Sequence, residues 1–182
     1  RKEMTVKAGQ KCTAVRRIIV PDHLAEDVQI AIGKQLAKTT IGDPQVEGVR
    51  MGALAGKAQV KEVRDRIKQL AEEQEIVWGS LDDFEVTGAD KSQGAFMAPV
   101  LMYNNDPFVK TDVHEIEAFG PVSTILPYKN LDEAIELTKM GKGSLVCSIS
   151  TNDDKIAREF VLGSASHHGR ILVLNRDCAK ES

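Results

Sequence analysis

The sequence predicts an α/β fold with parallel strand pairing. Two observations carry that prediction. In the last third of the chain, short β-branched runs alternate with amphipathic stretches of helical length, the pattern of strands joined by helical crossovers. And 182 residues with 42% hydrophobic and 28% charged content are enough for a single domain with a real core.

Residues 14–20 (AVRRIIV) read as a strand closed by Pro21. Asp22 can cap a helix running to about Thr39, with Leu24, Val28, Ile32 and Leu36 on one face. Gly42-Asp43-Pro44 reads as the turn that stops it. A second helix spans about Ala58 to Gln74, with the stripe Val60, Val63, Ile67 and Leu70. Residues 79–95 read as loop, with a short strand at 84–87, and 96–103 as an edge strand on account of Pro99. Val122–Tyr128 reads as a strand, and Asn130 with Glu133 as a capping box for a helix over 131–140. Ser144–Ser150 follows as a buried strand. A helix over 153–163 with Ile156 and Phe160 inward comes next, and then a strand over Arg170–Leu174.

Composition excludes several classes of function. The net charge of -3 comes from 27 acids and 24 bases that are interspersed, so no basic footprint for nucleic acid or for an anionic membrane surface exists. No apolar run reaches the roughly 18 residues of a membrane span. The stretch RKEMTVKAGQ has no apolar core of a signal peptide. Three widely spaced cysteines do not form a disulfide framework, which points to a reducing, cytoplasmic setting. Both ends read as cut, as in a domain of a longer protein.

Cys12, in Gly9-Gln10-Lys11-Cys12-Thr13, sits in a loop before the first strand, where a ligand can reach it. A thiolate is favoured by positive charge or backbone N–H donors, and Lys7, Lys11, Arg16 and Arg17 are near in sequence. The competing reading is a small buried hydrophobe. Cys147, inside SLVCSIS, reads as core, and Cys178, among Asp177 and Lys180, has no assigned role. In Glu117-Ala118-Phe119-Gly120-Pro121, the carboxylate and phenyl two residues apart share one side of an extended loop. Such a pair can hold a sugar diol and cover a flat ring; the alternative is a turn with Phe119 in the core. His114 and Glu115 read as a solvated loop, and His167-His168 as a turn. The four histidines lack ligand spacing, so no metal is expected. No glycine-rich phosphate loop occurs: Gly141-Lys142-Gly143 lacks both the third glycine and the strand-to-helix context.

Taken together, the motifs resemble those of the aldehyde dehydrogenase superfamily. Gly9-Gln10-Lys11-Cys12-Thr13 resembles its nucleophile motif, and Glu117-Ala118-Phe119-Gly120-Pro121-Val122 its E-x-F-G-P-V motif. Met51-Gly52-Ala53-Leu54 resembles its M-G-P-L turn, and residues 169–175 (GRILVLN) the strand that closes its catalytic domain. KEMTVKAGQKCTAVRRIIVP and GRILVLNRDCAKES further resemble the branch that forms the dehydrogenase half of bifunctional phenylacetate-degradation proteins. There a semialdehyde attached to coenzyme A is oxidised with NADP. The sequence departs from the general pattern at Ile116, at Lys142-Gly143-Ser144 and at Ala53, which bears on the substrate.

The resemblance implies a three-layer catalytic domain over 1–182, with a largely parallel sheet. It implies Cys12 as the nucleophile that forms a thiohemiacetal and then a thioester, Glu117 on the nicotinamide ribose and Phe119 near the nicotinamide ring. The implied cofactor is NADP or NAD, the substrate a small aldehyde that includes CoA-linked semialdehydes, and the parent enzyme a homo-oligomer. In the family the general-base Glu, the oxyanion Asn and the phosphate-binding turn precede the cysteine, so the isolated chain is expected to be inactive; the face that meets the nucleotide domain in the family is expected to be partly apolar, so self-association is expected as well. The alternatives are a CoA-acylating or reductase member of the same fold, and a non-enzymatic module with a structural Cys12.

Overall fold

A computed structural model describes residues 1–178, so Lys180 lies outside the described residues. The chain divides into two compact units, 1–127 and 128–182.

The first unit begins with a short helix α1 (Lys2–Thr5) and a tight turn over Val6–Gly9, followed by strand β1 (Arg17–Pro21). Helix α2 covers Ala25–Leu36 after a 3₁₀ turn at Asp22–Leu24. Helix α3 covers Lys57–Leu70, and strands β2 (Glu75–Trp78) and β3 (Val100–Tyr103) follow. A one-turn helix α4 (Asp112–Glu115) leads to β4 (Val122–Tyr128). These strands make one sheet in the order β1-β4-β3-β2. β3 runs parallel to β4, with Val100 opposite Val122 and Tyr103 opposite Ile125, and antiparallel to β2.

Two buried clusters hold this sheet. One joins Val63, Ile67 and Leu70 of α3 to Met97, Val100, Met102 and Val122. The other joins Leu36 of α2 to Val20, Leu101 and Ile125. The α3 stripe is the one expected from its 3.6-residue period. In α2 the buried positions are Ala25, Gly33 and Leu36, and Leu24 is exposed. The α-helix begins one residue after Leu24, so that side chain precedes the buried stripe. β3 is an interior strand rather than the expected edge. Pro99 sits before the ladder, and pairing starts with the Val100 N–H donating to the Pro121 carbonyl at 2.8 Å, so no ladder donor is lost. Residues 84–87 form no strand; Thr87 makes an isolated bridge to Gly42, which is therefore extended, and the turn follows over Asp43–Val46.

The second unit contains α5 (Leu131–Met140), β5 (Ser144–Ser150), α6 (Asp154–Ser164) and β6 (His168–Leu174). β5 and β6 pair in parallel, with Ser144 opposite His168 and Ser150 opposite Leu174, and α5 packs against α6. β4 therefore lies in a different sheet from β5. β5 is not buried: Leu145 is 58% exposed, and Cys147 is half-buried rather than core. On α6, Phe160 is buried as expected, but Ile156 is 40% exposed. His168 opens β6 instead of ending a turn.

Asn130 caps α5 as the sequence implies. Its Oδ1 accepts from the Glu133 N–H at 3.0 Å, while Glu133 Oε2 accepts from the Lys129 N–H at 2.7 Å, one residue before the usual box partner. Asn130→Ala is expected to cost about 1 kcal/mol of stability, measured by denaturant titration. A change below a few tenths of that would show the cap to be idle.

Candidate active site around Cys12

Cys12 is exposed, in a turn closed by the Ala14 N–H donating to the Lys11 carbonyl at 2.9 Å. Both flanks of this turn are fixed to one distant segment, residues 114–124. Upstream, Gly9 lies against the backbone of Gly120 and Pro121. A Cβ on Gly9 would stand 2.2 Å from the Gly120 carbonyl oxygen and 2.6 Å from the Pro121 nitrogen. Downstream, the Ser123 hydroxyl donates to the Val15 carbonyl at 2.5 Å, and the Thr124 N–H to the Arg16 carbonyl at 2.9 Å. The Cys12 turn is thus a bridge whose two piers rest on residues 120–124, directly after Glu117 and Phe119 in the same segment.

The approach at Gly9 is prepared locally. Lys7, Ala8 and Gly9 all have left-handed backbone, with φ of 53°, 52° and 72°. Left-handed backbone is strained for the first two and easy for the glycine. This turn leads Gln10 away from the core, and its amide is fixed at both ends. Its Oε1 accepts from the Ala55 N–H at 2.7 Å, and its Nε2 donates to Gln59 Oε1 at 3.3 Å. The Met51–Leu54 motif and the first turn of α3 are thereby placed beside the Cys12 loop. A pocket of about 430 Å³ opens there, lined by Lys7, Gln10, Arg50 and Ala53 among others.

Glu117 and Phe119 are both exposed, while Ala118 between them is buried. Phe119 takes a left-handed φ of 46°. An aromatic residue held in that region signals that the surroundings dictate its backbone. Gly120 then packs on α3, where an added Cβ would lie 2.8 Å from the Val63 side chain.

Three of the four cations near Cys12 in sequence are engaged elsewhere. Lys11 pairs with Glu3 at 3.1 Å. Arg16 donates to the His114 carbonyl at 3.4 Å, and Arg17 to His114 Nδ1 at 2.9 Å. His114 is therefore no solvated loop residue. It is 4% exposed, in α4, with Nε2 donating to the Pro107 carbonyl at 2.8 Å. Because Arg17 can only donate, Nδ1 must keep its lone pair and the ring is neutral. Burial holds its pKa below the ordinary 6.5; the Pro107 carbonyl opposes that shift and the two arginines add to it.

A lowered histidine pKa means that the unfolded chain binds more protons than the folded one just below pH 6.5, so stability rises with pH there. The contribution is complete above pH 6.5 and is lost as pH falls toward the folded-state value. Denaturant midpoints between pH 5 and 7 should show this slope, and His114→Gln should flatten it. An unchanged slope in the variant would assign the effect elsewhere. No sequence signal marks this His114–Arg17 pair, because neither residue has a periodic or motif context.

Among the described residues, no group of three or more His, Cys, Asp or Glu side chains could hold a metal ion, and no helix is long and apolar enough to cross a membrane.

The aldehyde dehydrogenase family pattern matches residues 1–173. The chain is 40% identical over 174 residues to the 3,4-dehydroadipyl-CoA semialdehyde dehydrogenase of Aromatoleum evansii, covering 96% of this chain and 34% of that protein. It is 39% identical over 133 residues to Protein MaoC of Klebsiella aerogenes, covering 72% of this chain and 38% of that protein. The betaine aldehyde dehydrogenase of Staphylococcus aureus, solved in complex with NAD+, superposes with a TM-score of 0.84 at 22% identity, over 94% of this chain and 33% of that one. An aldehyde dehydrogenase from Bacillus cereus superposes with a TM-score of 0.81 at 24% identity, over 94% of this chain and 33% of that one. The chain spans about a third of the length of these relatives. The family match across nearly its whole length, with the relative at 40% identity, shows that the chain belongs to the aldehyde dehydrogenase family.

Proposed function

We propose that this chain is the thiol-bearing part of an enzyme that oxidises an aldehyde to a carboxylic acid, with Cys12 as the nucleophile. The aldehyde in this reading is a CoA-linked semialdehyde, the class named in the Aromatoleum evansii relative. The observation that carries the reading is the bridge: an exposed thiol held between two fixed points of the segment that presents Glu117 and Phe119.

Cys12 Sγ, as thiolate, forms a bond to the aldehyde carbon while the carbonyl π pair moves onto oxygen. The Cys12 backbone N–H is the donor this chain offers to that oxyanion. Loss of hydride from the carbon restores the carbonyl and leaves the acyl group on sulfur as a thioester. Water then releases the acid and returns the thiolate. Glu117 and Phe119 fit a nicotinamide nucleotide: an exposed carboxylate with no hydrogen-bond or ion-pair partner among the described residues suits a ribose diol, and a projecting phenyl suits a flat ring. Bound there, NAD or NADP supplies the hydride acceptor. The water-activating base and most of the nucleotide site belong to a further domain of the parent enzyme in this proposal.

Cys12 and Cys178 are both exposed, so their relative alkylation separates environment from access. Mild iodoacetamide followed by peptide mass spectrometry should label Cys12 ahead of Cys178 and Cys147. Equal labelling of Cys12 and Cys178 would remove the case for an activated thiol.

A further inference from the structure

A pocket of about 650 Å³ lies away from the Cys12 turn, along α3. Lys57, Lys61, Arg64 and Lys68 line one wall, spaced so that they stack along one side of the helix, flanking the stripe of buried Val63 and Ile67. Phe84 and Phe96 contribute apolar surface on the other wall, and Lys91 completes the cationic set. Against these five cations stand only two carboxylates, Asp65 and Asp82, in a chain whose net charge is -3. Positive charge is therefore concentrated here against the trend of the molecule.

The walls are tied together. Lys57 Nζ donates to the Ser92 carbonyl at 3.0 Å, and Arg64 Nη2 donates to the Leu81 carbonyl and pairs with Asp82. Lys91 Nζ donates to the Asp82 and Phe84 carbonyls at 2.7 Å each, and stands 3.9 Å over the Phe84 ring. The Lys57 and Lys91 ammonium groups thus rest on neutral carbonyls, with Asp90 acting on Lys57 from outside the pocket, while Arg64 is paired with Asp82. Lys61 is paired with Asp65 at 2.7 Å. No hydrogen bond or ion pair engages Lys68 among the described residues.

We propose that this pocket holds the phosphate-bearing nucleotide end of a coenzyme A thioester whose acyl end reaches Cys12. The inference rests on the CoA-linked aldehyde reading above. Ammonium and guanidinium groups match phosphate oxygens, and phenyl faces beside cations match an adenine ring. The layout also fits. The first turn of α3 abuts the Cys12 loop through Gln59 and Gln10, on the side of the helix away from the basic stripe, so the arm between the acyl group and the phosphates passes round the N-terminal end of α3; the stripe itself runs about 16 Å along the helix from Lys57 to Lys68. A CoA thioester has the same plan, a reactive acyl group separated from its phosphates by a long neutral arm.

Calorimetric titration of this chain with coenzyme A, 3′-dephospho-CoA, pantetheine and ATP tests the proposal. Coenzyme A should bind, dephospho-CoA should bind more weakly, and pantetheine should not bind. Lys61→Gln and Lys68→Gln, both at exposed positions, should each weaken CoA binding about fivefold, and Lys155→Gln in α6 should leave it unchanged. Unaltered melting temperatures would show that these variants fold. Pantetheine binding as well as CoA, or lysine variants binding like the parent, would overturn the proposal. ATP binding as tightly as CoA would overturn it too, assigning the pocket to free nucleotides. The iodoacetamide comparison keeps the two readings apart: selective labelling of Cys12 without CoA binding rejects the pocket alone.

Discussion

Replacing Gly9 by alanine is expected to destabilise the first unit by about 3 kcal/mol. The new methyl group would lie within 2.3 Å of two Gly120 backbone atoms, and no rotamer can relieve a contact between a Cβ and main chain. Overpacking of this kind costs about 1–3 kcal/mol. The φ of 72° adds roughly 1 kcal/mol for any residue with a Cβ. The change should appear as a lower denaturant midpoint at unchanged slope. The same variant should lose the preference for Cys12 over Cys178 in alkylation, because one pier of the bridge has moved. A Gly9→Ala protein with parental stability would mean that Gly9 and Gly120 do not meet as described.

Cys12→Ser should act in the opposite sense, with little effect on stability and a large one on chemistry. Cys12 is exposed, and an exposed substitution of similar size shifts stability by no more than about 0.5 kcal/mol. In an enzyme that joins this chain to a nucleotide-binding domain, the proposal predicts a fall in kcat of about 10⁴-fold or more. A hydroxyl has far weaker nucleophilicity at neutral pH and no thioester can form. Cys147→Ser and Cys178→Ser should retain activity within about threefold. Substantial turnover by the Cys12→Ser enzyme would remove Cys12 from the reaction.

What was legible in the sequence follows a physical pattern. The α3 stripe, the bounds of β4, β5 and α5, and the Asn130 cap are all properties of local periodicity or of residues three apart, which the chain carries in its order. β2 was not legible, since four residues are too few to display a two-residue period. Burial of the second unit was misread: an apolar run such as SLVCSIS shows what could be covered and not whether anything covers it. His114 was misread for the related reason that its partners, Arg17 and Pro107, are identified only by the fold. The individual motifs were visible, but the close approach of Gly9 to Gly120 was not. Nothing in either motif records that the two backbones touch.

That approach has a consequence for how the thiol comes into being. At synthesis rates of about 5–20 residues per second, Gly120 emerges roughly 5 to 20 s after Gly9. Throughout that interval Cys12 is present on the nascent chain without the segment that anchors both sides of its turn. Closing so long a loop is entropically costly until the sheet strands that reward it are in place. The environment of the thiol is therefore a late product of folding, and a cell that makes this chain handles an ordinary cysteine first and a positioned one only afterwards.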